Sequence, residues 1–220
     1  MLKAVIFDFD GVIVNSEPLH YLVEREMFLE KGMDISYLEY SEYAGISETE
    51  TYQLLGKKYN VELNAGVMLP DKIKRFQQML TNLDEIPVIE GVEELIKDLH
   101  SHNIKMCVAT SGTYQIAEAI LKKLDLWHYF DFVIAGNQLE KAKPDPEIFI
   151  KSIERLGIFN DECVIIEDSV NGVKGGLAAQ IPVIALDYTD DLPEGKVIAV
   201  DSLSVLNHQS LDEILEEFNR

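Results

Sequence analysis

Apolar segments that alternate with amphipathic helix patterns are the feature that most constrains the fold of this 220-residue chain. From Gly91 onward, apolar runs of strand length are separated by segments in which apolar residues recur every three or four positions. The runs cover residues 104–109, 130–135, 163–166, 181–186 and 197–200, and residues 4–7 have the same character. Strands that are apolar throughout are typical of a parallel sheet covered by helices on both faces. The sequence therefore predicts an α/β fold with a Rossmann-like parallel sheet.

Residues 15–87 interrupt this alternation, because their apolar residues follow helical spacing only. Ser47-Glu48-Thr49-Glu50 has the sequence of a capping box and predicts the start of one helix. An earlier helix is predicted to end at Gly32 and to carry one stripe of residues: Leu19, Leu22, Val23, Met27 and Glu30. We expect an α/β core domain made of residues 1–14 and 88–220, and an inserted all-helical cap domain made of residues 15–87.

The charge and composition of the chain limit its partners. Its formal net charge is −20, and such a field repels nucleic acid and anionic membrane surfaces. The sequence has no apolar stretch of bilayer length, and its N-terminus lacks the pattern of a secretory signal. Cys107 and Cys163 lie in apolar strand-like runs, which is typical of buried thiols. We expect a cytoplasmic protein that binds neither nucleic acid nor membrane.

Polar side chains follow several of the predicted strands. Asp8 and Asp10 come directly after the first strand, where residues i and i+2 point to the same side about 7 Å apart. Residues 110–111 are Thr-Ser, residues 167–168 are Glu-Asp, and Lys143 lies in the loop after another strand. Ligands of open parallel sheets bind outside the carboxyl ends of the strands. The sequence therefore predicts a polar ligand site at this edge of the sheet.

The residue types at these strand ends complement one another chemically. Each pattern alone is typical of an ordinary polar turn, a helix cap or a solvated lysine. In combination, the carboxylates are hard oxygen ligands of the kind that Mg²⁺ prefers. A hydroxyl, the N–H groups at a helix start and a lysine are groups that hold phosphate oxygens. The pattern indicates a site for a metal ion and a phosphorylated compound.

The motifs resemble those of a known superfamily. Asp8-Phe9-Asp10-Gly11-Val12, Thr110-Ser111, Lys143-Pro144 and Glu167-Asp168-Ser169 are similar to the four motifs of the haloacid dehalogenase superfamily of phosphotransferases. Residues 3–12, His20 and Lys143-Pro144-Asp145-Pro146 resemble the β-phosphoglucomutase-like subfamily, which includes small phosphatases. The resemblance covers essentially the whole chain, including the helical insert after the first motif.

This resemblance implies roles for the acidic residues. Asp8 would be the nucleophile that forms an aspartyl-phosphate, and Asp10 would be the general acid and then the general base. Mg²⁺ would be held by the Asp8 carboxylate, the Asp10 backbone carbonyl and Asp168. Glu167 would orient the metal-bound ligands without binding the ion directly, although direct ligation is also open.

The resemblance also implies which residues bind the substrate. Thr110, the backbone N–H of Ser111 and Lys143 would hold the oxygens of the transferring phosphoryl group. His20 would lie beside the catalytic acid, Asp10. The implied substrate is a small phosphorylated metabolite, and a monomer is expected for a capped enzyme of this size.

Other functions fit the sequence less well. A carbon–halogen hydrolase has no use for an acid at position 10 or for a metal ligand at 168, because halide is a good leaving group. A phosphorylatable receiver module is about half this length and has no helical insert. A non-catalytic descendant of the superfamily is not favoured, because every reactive position is occupied.

The choice between a phosphatase and a sugar-phosphate mutase depends on the insert. In β-phosphoglucomutase an arginine grips the second phosphate, and the segment 45–48 of this chain has Glu48 at the matching position. Lys72, Lys74 and Arg75 could compensate, but they are expected to be surface charges. We therefore expect a Mg²⁺-dependent phosphatase that forms an aspartyl-phosphate, with a β-phosphoglucomutase-type mutase as the alternative.

Overall fold

The computed structural model of the chain describes residues 1–43, 46–188 and 191–220. Within them, six parallel strands form one sheet in the order β3-β2-β1-β4-β5-β6. The strands are β1 (Ala4–Phe7), β2 (Lys105–Thr110), β3 (Phe132–Ala135), β4 (Cys163–Glu167), β5 (Val183–Leu186) and β6 (Val197–Val200). The α/β fold with a Rossmann-like parallel sheet is confirmed.

The first strand lies in the middle of the sheet and is buried on both faces. Alternate residues of β1 enter two separate apolar clusters, with Val5 and Phe7 in one and Ala4 and Ile6 in the other. This two-sided burial explains why the strand is apolar throughout instead of alternating with polar residues. The central position of β1 also brings its carboxyl end between those of β2 and β4.

Helices after the insert cover both faces of the sheet. They are α5 (Val92–Ser101), α6 (Tyr114–Lys123), α7 (Glu147–Leu156), α8 (Val170–Ala178) and α9 (His208–Phe218). Apolar residues of α5, α6 and α9 join the cluster of Phe7, and those of α7 and α8 join the cluster of Ile6. Gly157 ends α7 in the left-handed conformation, with φ of 69°, which glycine adopts more easily than other residues.

Four helices of the described residues lie between β1 and α5 along the chain. They are α1 (Glu17–Glu30), α2 (Tyr37–Ser41), α3 (Glu48–Tyr59) and α4 (Ala65–Asn82). The Ser47 hydroxyl caps α3 by accepting a hydrogen bond from the Glu50 N–H at 3.3 Å. The short helix α2 was not predicted. We propose that α1–α4 make up a cap domain with the bounds 15–87, and Gly45 of this segment lies outside the described residues.

Some expectations for the insert were wrong. Leu22 is 54% exposed, although the predicted stripe of α1 includes it, and the face that α1 buries contains Glu24 and Phe28 instead. Lys72 is not a surface charge, because only 2% of it is exposed. Glu24 and Lys72 can be buried because their charges pair with each other. The two residues lie on different helices, so the spacing of apolar residues along either helix does not reveal the pair.

Two further expectations concern the thiols and the membrane. Cys107 and Cys163 are both buried free thiols, as predicted. Burial raises the pKa of Cys163 to about 12, so this thiol stays protonated and unreactive. No helix in the described part of the chain combines the length and the apolar character needed to cross a bilayer.

Candidate active site

The carboxyl ends of three neighbouring strands bring the acidic motifs together. Phe7 of β1 is paired with Val108 of β2 on one side and with Ile166 of β4 on the other. The residues that follow these positions therefore meet at one edge of the sheet. Asp8 lies directly beyond β1 and Glu167 ends β4.

Lys143 connects the first and last of these motifs. Its ammonium group donates to Asp8 Oδ1 at 2.5 Å, to Glu167 Oε1 at 2.5 Å and to the backbone carbonyl of Ala109 at 2.9 Å. The side chain is buried, which alone would lower its pKa, but Asp8 and Glu167 outweigh burial and raise the pKa. Lys143 is therefore a fixed positive charge beside Asp8.

Glu167 is completely buried and its carboxylate is held on both sides. While Oε1 accepts from Lys143, Oε2 accepts from the N–H of Asp168 at 3.0 Å and from the N–H and hydroxyl of Ser169 at 2.9 Å each. Gly172 leaves the space for this group, because a Cβ there would lie 1.7 Å from Glu167 Oε1. Because both of its oxygens already accept hydrogen bonds within the protein, Glu167 is suited to hold Lys143 and the loop after β4 in place.

The acidic side chains form a cluster that fits a metal ion. One oxygen each of Asp8, Glu167 and Asp168 lies within 4.8 Å of the others. Burial and the neighbouring Glu167 raise the pKa of Asp8 well above its usual range, although Lys143 opposes them. Burial, Glu167 and Asp10 raise the pKa of Asp168 to about 7. A divalent cation among these oxygens would remove this repulsion, so the donor set fits Mg²⁺.

Asp10 has a different environment from Asp8. Its Oδ1 accepts a hydrogen bond from the buried Ser16 hydroxyl, and its Oδ2 accepts from Thr110 Oγ1 at 3.3 Å. His20 Nε2 lies 3.6 Å from Oδ1. Burial would raise the pKa of Asp10, but His20, Ser16 and Thr110 together outweigh it and lower the pKa. Asp10 is therefore ionised here, as a group that accepts a proton must be.

Other elements position the neighbours of Asp10. His20 lies on α1, and its ring packs against that of Phe76 on α4 at a centroid distance of 4.8 Å. Thr110 is 1% exposed, and its hydroxyl accepts from the N–H of Gly112 at 2.9 Å. Ser111 is exposed at the edge of the cavity. The structure thus brings all the predicted site residues to one place.

A cavity of about 560 Å³ lies between the strand ends and the cap helices. The strand ends contribute Asp8, Asp10, Ser111 and Asp168 to its lining. The cap helices and their loops contribute a second, largely polar set: Glu17, His20, Glu24, Tyr40, Tyr43, Ile46, Glu48, Thr51 and Lys72. Its volume is in the range of small-molecule sites.

Sequence reasoning missed several residues of this cavity. Ser16 donates a hydrogen bond to Asp10, and it was not among the predicted site residues. Glu24 lies four residues after His20, on the same side of α1, and this spacing could have revealed it. No local signal marks Lys72, because its partners Glu24 and Glu48 lie on other helices.

Comparison with known proteins identifies the family. The sequence model of the haloacid dehalogenase-like hydrolases matches residues 5–186. This chain belongs to that family. A phosphorylated carbohydrates phosphatase of Thermotoga maritima is 30% identical over 221 residues, which cover 98% of this chain and 99% of the relative. The fructose-1-phosphate phosphatase YqaB of Escherichia coli is 28% identical, over 82% of this chain and 94% of its own length.

A solved structure extends the comparison to the fold of this hydrolase. The crystal structure of a β-phosphoglucomutase from Clostridium difficile superimposes with a TM-score of 0.85 at 27% identity. The superposition covers 100% of this chain and 99% of the mutase. The resemblance predicted from the motifs is therefore confirmed at the level of the superfamily and its β-phosphoglucomutase-like members.

Proposed function

We propose that this protein is a Mg²⁺-dependent phosphatase that hydrolyses a small phosphomonoester, such as a sugar phosphate, through an aspartyl-phosphate. The observation that carries the proposal is the cluster of Asp8, Glu167 and Asp168 with Lys143, directly below a cavity of small-molecule size. The names of the two phosphatase relatives support a sugar phosphate as substrate.

Asp8 is the proposed nucleophile. One of its carboxylate oxygens attacks phosphorus as the bond from phosphorus to the ester oxygen breaks, which forms the aspartyl-phosphate. Lys143 donates to Oδ1 of Asp8 and so orients the carboxylate. A bound Mg²⁺, held by Asp8, Asp168 and the Asp10 carbonyl, would neutralise charge on the phosphoryl oxygens. Glu167 positions Lys143 by accepting its hydrogen bond.

Asp10 is the proposed acid and base. In the first step it gives its proton to the leaving alkoxide, and in the second it takes a proton from the water that attacks the aspartyl-phosphate. His20, Ser16 and Thr110 hold Asp10 ionised in the absence of substrate. A dianionic phosphate nearby would raise the pKa of Asp10 and so favour the protonated form that the first step needs.

The phosphoryl oxygens need donors that the site can supply. We propose the Ser111 backbone N–H for this role, because Ser111 lines the cavity at the end of β2. Thr110 and Lys143 are the other proposed donors. Each currently bonds within the protein, Thr110 to Asp10 and Lys143 to Asp8, so substrate would share or replace these contacts. His20 would contact the substrate beside Asp10.

The experiment is a screen of phosphorylated sugars, sugar acids and nucleotides with Mg²⁺, in which released phosphate is measured. We expect release from at least one class of sugar phosphate. Absence of release from every phosphomonoester, with a folded protein and Mg²⁺ present, would overturn the proposal.

A sugar-phosphate mutase is the second candidate, and the 0.85 TM-score to a β-phosphoglucomutase favours it. A mutase transfers the phosphoryl group back to sugar instead of to water. Incubation with β-glucose 1-phosphate separates the two candidates. A phosphatase releases inorganic phosphate, whereas a mutase forms glucose 6-phosphate.

A further inference from the structure

The wall of the cavity that faces Asp8 and Asp10 is acidic. Among the described residues that line the cavity from the cap helices, Glu17, Glu24 and Glu48 carry carboxylates, and Lys72 carries an ammonium group. The substrate proposed above would place its phosphate at Asp8 and the remainder of the molecule against this wall. The charge of the wall therefore affects which groups the substrate can carry at the end remote from its phosphate.

The positive charge of Lys72 is already neutralised within the protein. Its ammonium lies 3.0 Å from Glu24 Oε2 and 2.5 Å from Glu48 Oε1, and only 2% of the side chain is exposed. We call these three residues the Glu24–Lys72–Glu48 triad. A cation that is paired with two carboxylates offers little net attraction to a second phosphate.

Lys72 and two tyrosines keep Glu24 ionised. The Tyr52 hydroxyl donates to Glu24 Oε1 at 2.6 Å, and the Tyr40 hydroxyl donates to Oε2. Burial would raise the pKa of Glu24, but Lys72, Tyr40 and Tyr52 outweigh it and lower the pKa. With Glu48 paired to the same ammonium, the triad carries two carboxylates against one cation. It therefore presents excess negative charge to the cavity.

Glu17 adds to this charge. It lines the same cavity, and its Oε1 is buried without a hydrogen-bond partner among the described residues. A buried carboxylate oxygen without a donor is costly, and a hydroxyl group of a ligand is a donor that would satisfy it. A phosphate or carboxylate group could only add repulsion at this point.

We propose that this acidic wall selects phosphomonoesters whose remote end is uncharged and rich in hydroxyl groups, and that it rejects those with a second phosphate or a carboxylate. The inference rests on the proposed phosphatase function and specifies its substrate class. Hydroxyl groups donate to Glu17 and Glu48, whereas an anionic end would face these carboxylates, and the one lysine among the described residues of the wall, Lys72, is already paired.

The test compares pairs of substrates that differ in the charge at the remote end. The pairs are fructose 1-phosphate with fructose 1,6-bisphosphate, and glucose 6-phosphate with 6-phosphogluconate. We expect kcat/KM to be at least about tenfold higher for the uncharged member in each pair that is hydrolysed, since close like charges oppose binding. Equal kcat/KM within the pairs, or a preference for the anionic member, would overturn the inference.

Two matched variants connect this selectivity to Glu48. Glu48→Gln removes one negative charge from the wall and leaves Lys72 paired with Glu24. We expect it to reduce the preference for the uncharged member at least about threefold. Glu50→Gln makes the same change at an exposed position of α3, and we expect the preference to stay as in the unmodified protein. An unchanged preference in Glu48→Gln, with its fold verified by thermal melting, would also overturn the inference.

The design separates the two proposals. Hydrolysis of both members of each pair with equal kcat/KM contradicts the selection by the acidic wall and leaves the phosphatase function intact. No hydrolysis of any phosphomonoester contradicts the phosphatase function itself.

Discussion

Asp8 and Asp10 lie two residues apart, yet the structure gives them opposite environments. Burial and Glu167 raise the pKa of Asp8, whereas His20 and the hydroxyl groups around Asp10 lower the pKa of Asp10. When the environments of two neighbouring acids shift their pKa values in opposite directions, the two carboxylates usually take different roles in catalysis. Here the proposed roles are nucleophile for Asp8 and proton carrier for Asp10.

The variant Asp8→Asn tests the nucleophile. The amide has nearly the same shape but cannot form the aspartyl-phosphate, so we expect phosphate release to fall at least about a thousandfold. Lys143 keeps its bond to Glu167, and we expect the fold to persist, as circular dichroism and the melting temperature would report. Turnover close to that of the unmodified protein would exclude Asp8 as the nucleophile.

Gly11 determines how closely Asp168 can approach the first motif. Its φ is +87°, and a Cβ there would lie 1.9 Å from Asp168 Oδ2. We expect Gly11→Ala to displace Asp168 and to lower phosphate release at least about tenfold, because a small misplacement of a catalytic group is costly. The assay is phosphate release at saturating Mg²⁺.

Gly32→Ala is the matched control for this prediction. Gly32 has a similar φ of +78°, but nothing lies within 4 Å of the position of a Cβ. Gly32→Ala therefore introduces the same backbone strain, about 1 kcal/mol, but no steric clash with another residue. We expect nearly full activity from it. Equal activity of the two variants would contradict the role assigned to Gly11.

At the scale of secondary-structure elements, Lys72 joins three cap helices. It lies on α4 and pairs with Glu24 of α1 and Glu48 of α3. Its removal leaves the buried carboxylate of Glu24 without its cation, which is a strongly destabilising change. The triad therefore contributes to the packing of the cap helices as well as to the charge of the cavity.

The variant Lys72→Met tests this contribution. We expect it to lower the free energy of unfolding by about 3–5 kcal/mol, the usual cost of one missing partner in a buried ion pair. Lys74→Met on the exposed side of the same helix should change it by less than about 0.5 kcal/mol. Urea denaturation measures both values. A Lys72→Met variant as stable as Lys74→Met would refute the structural role of the pairing.

At the scale of the whole molecule, the chain must bind an anionic substrate despite a net charge of −20. The cluster of Asp8, Glu167 and Asp168 adds to this negative field at the very point where phosphate is proposed to bind. Lys143 alone does not balance these acids. Mg²⁺ therefore has two expected effects, on activity and on stability.

Removal of divalent ions with EDTA should abolish phosphate release, and added Mg²⁺ should restore it. Because a ligand that binds only the folded state stabilises it, Mg²⁺ at about 100 times its dissociation constant should add about 2.7 kcal/mol of stability. Thermal melting measures this shift without any substrate. Asp168→Asn removes one proposed ligand, and a shift of undiminished size in that variant would contradict the assignment.

The motifs of the core were predictable because each is local. Asp8 and Asp10 follow an apolar strand directly, and Glu167 and Asp168 lie at the end of β4. Parallel strands place such residues at one edge of the sheet, so their proximity follows from the order of elements. The fold class, the membership of the first strand in the sheet and the helical insert could be predicted from hydrophobic spacing for the same reason.

The cap wall was not predictable in this way. Lys72 was expected at the surface because isolated lysines usually are, and only the packing of α1, α3 and α4 brings Glu24 and Glu48 against it. Leu22 shows the converse error, since it continues an apolar spacing but lies on the exposed side of α1. In both cases the outcome depends on how helices pack, which sequence spacing does not encode.

The sequence by itself thus determined the parallel sheet, the family and the acids at the strand ends, because periodicity and motif order are properties of short segments. Only the tertiary structure decided which charges face the cavity, since residues as distant in the chain as Glu24 and Lys72 meet only after the helices have packed. A buried charge is tolerated only with a partner, so the partners, and with them the charge of the wall, are set by the folded chain.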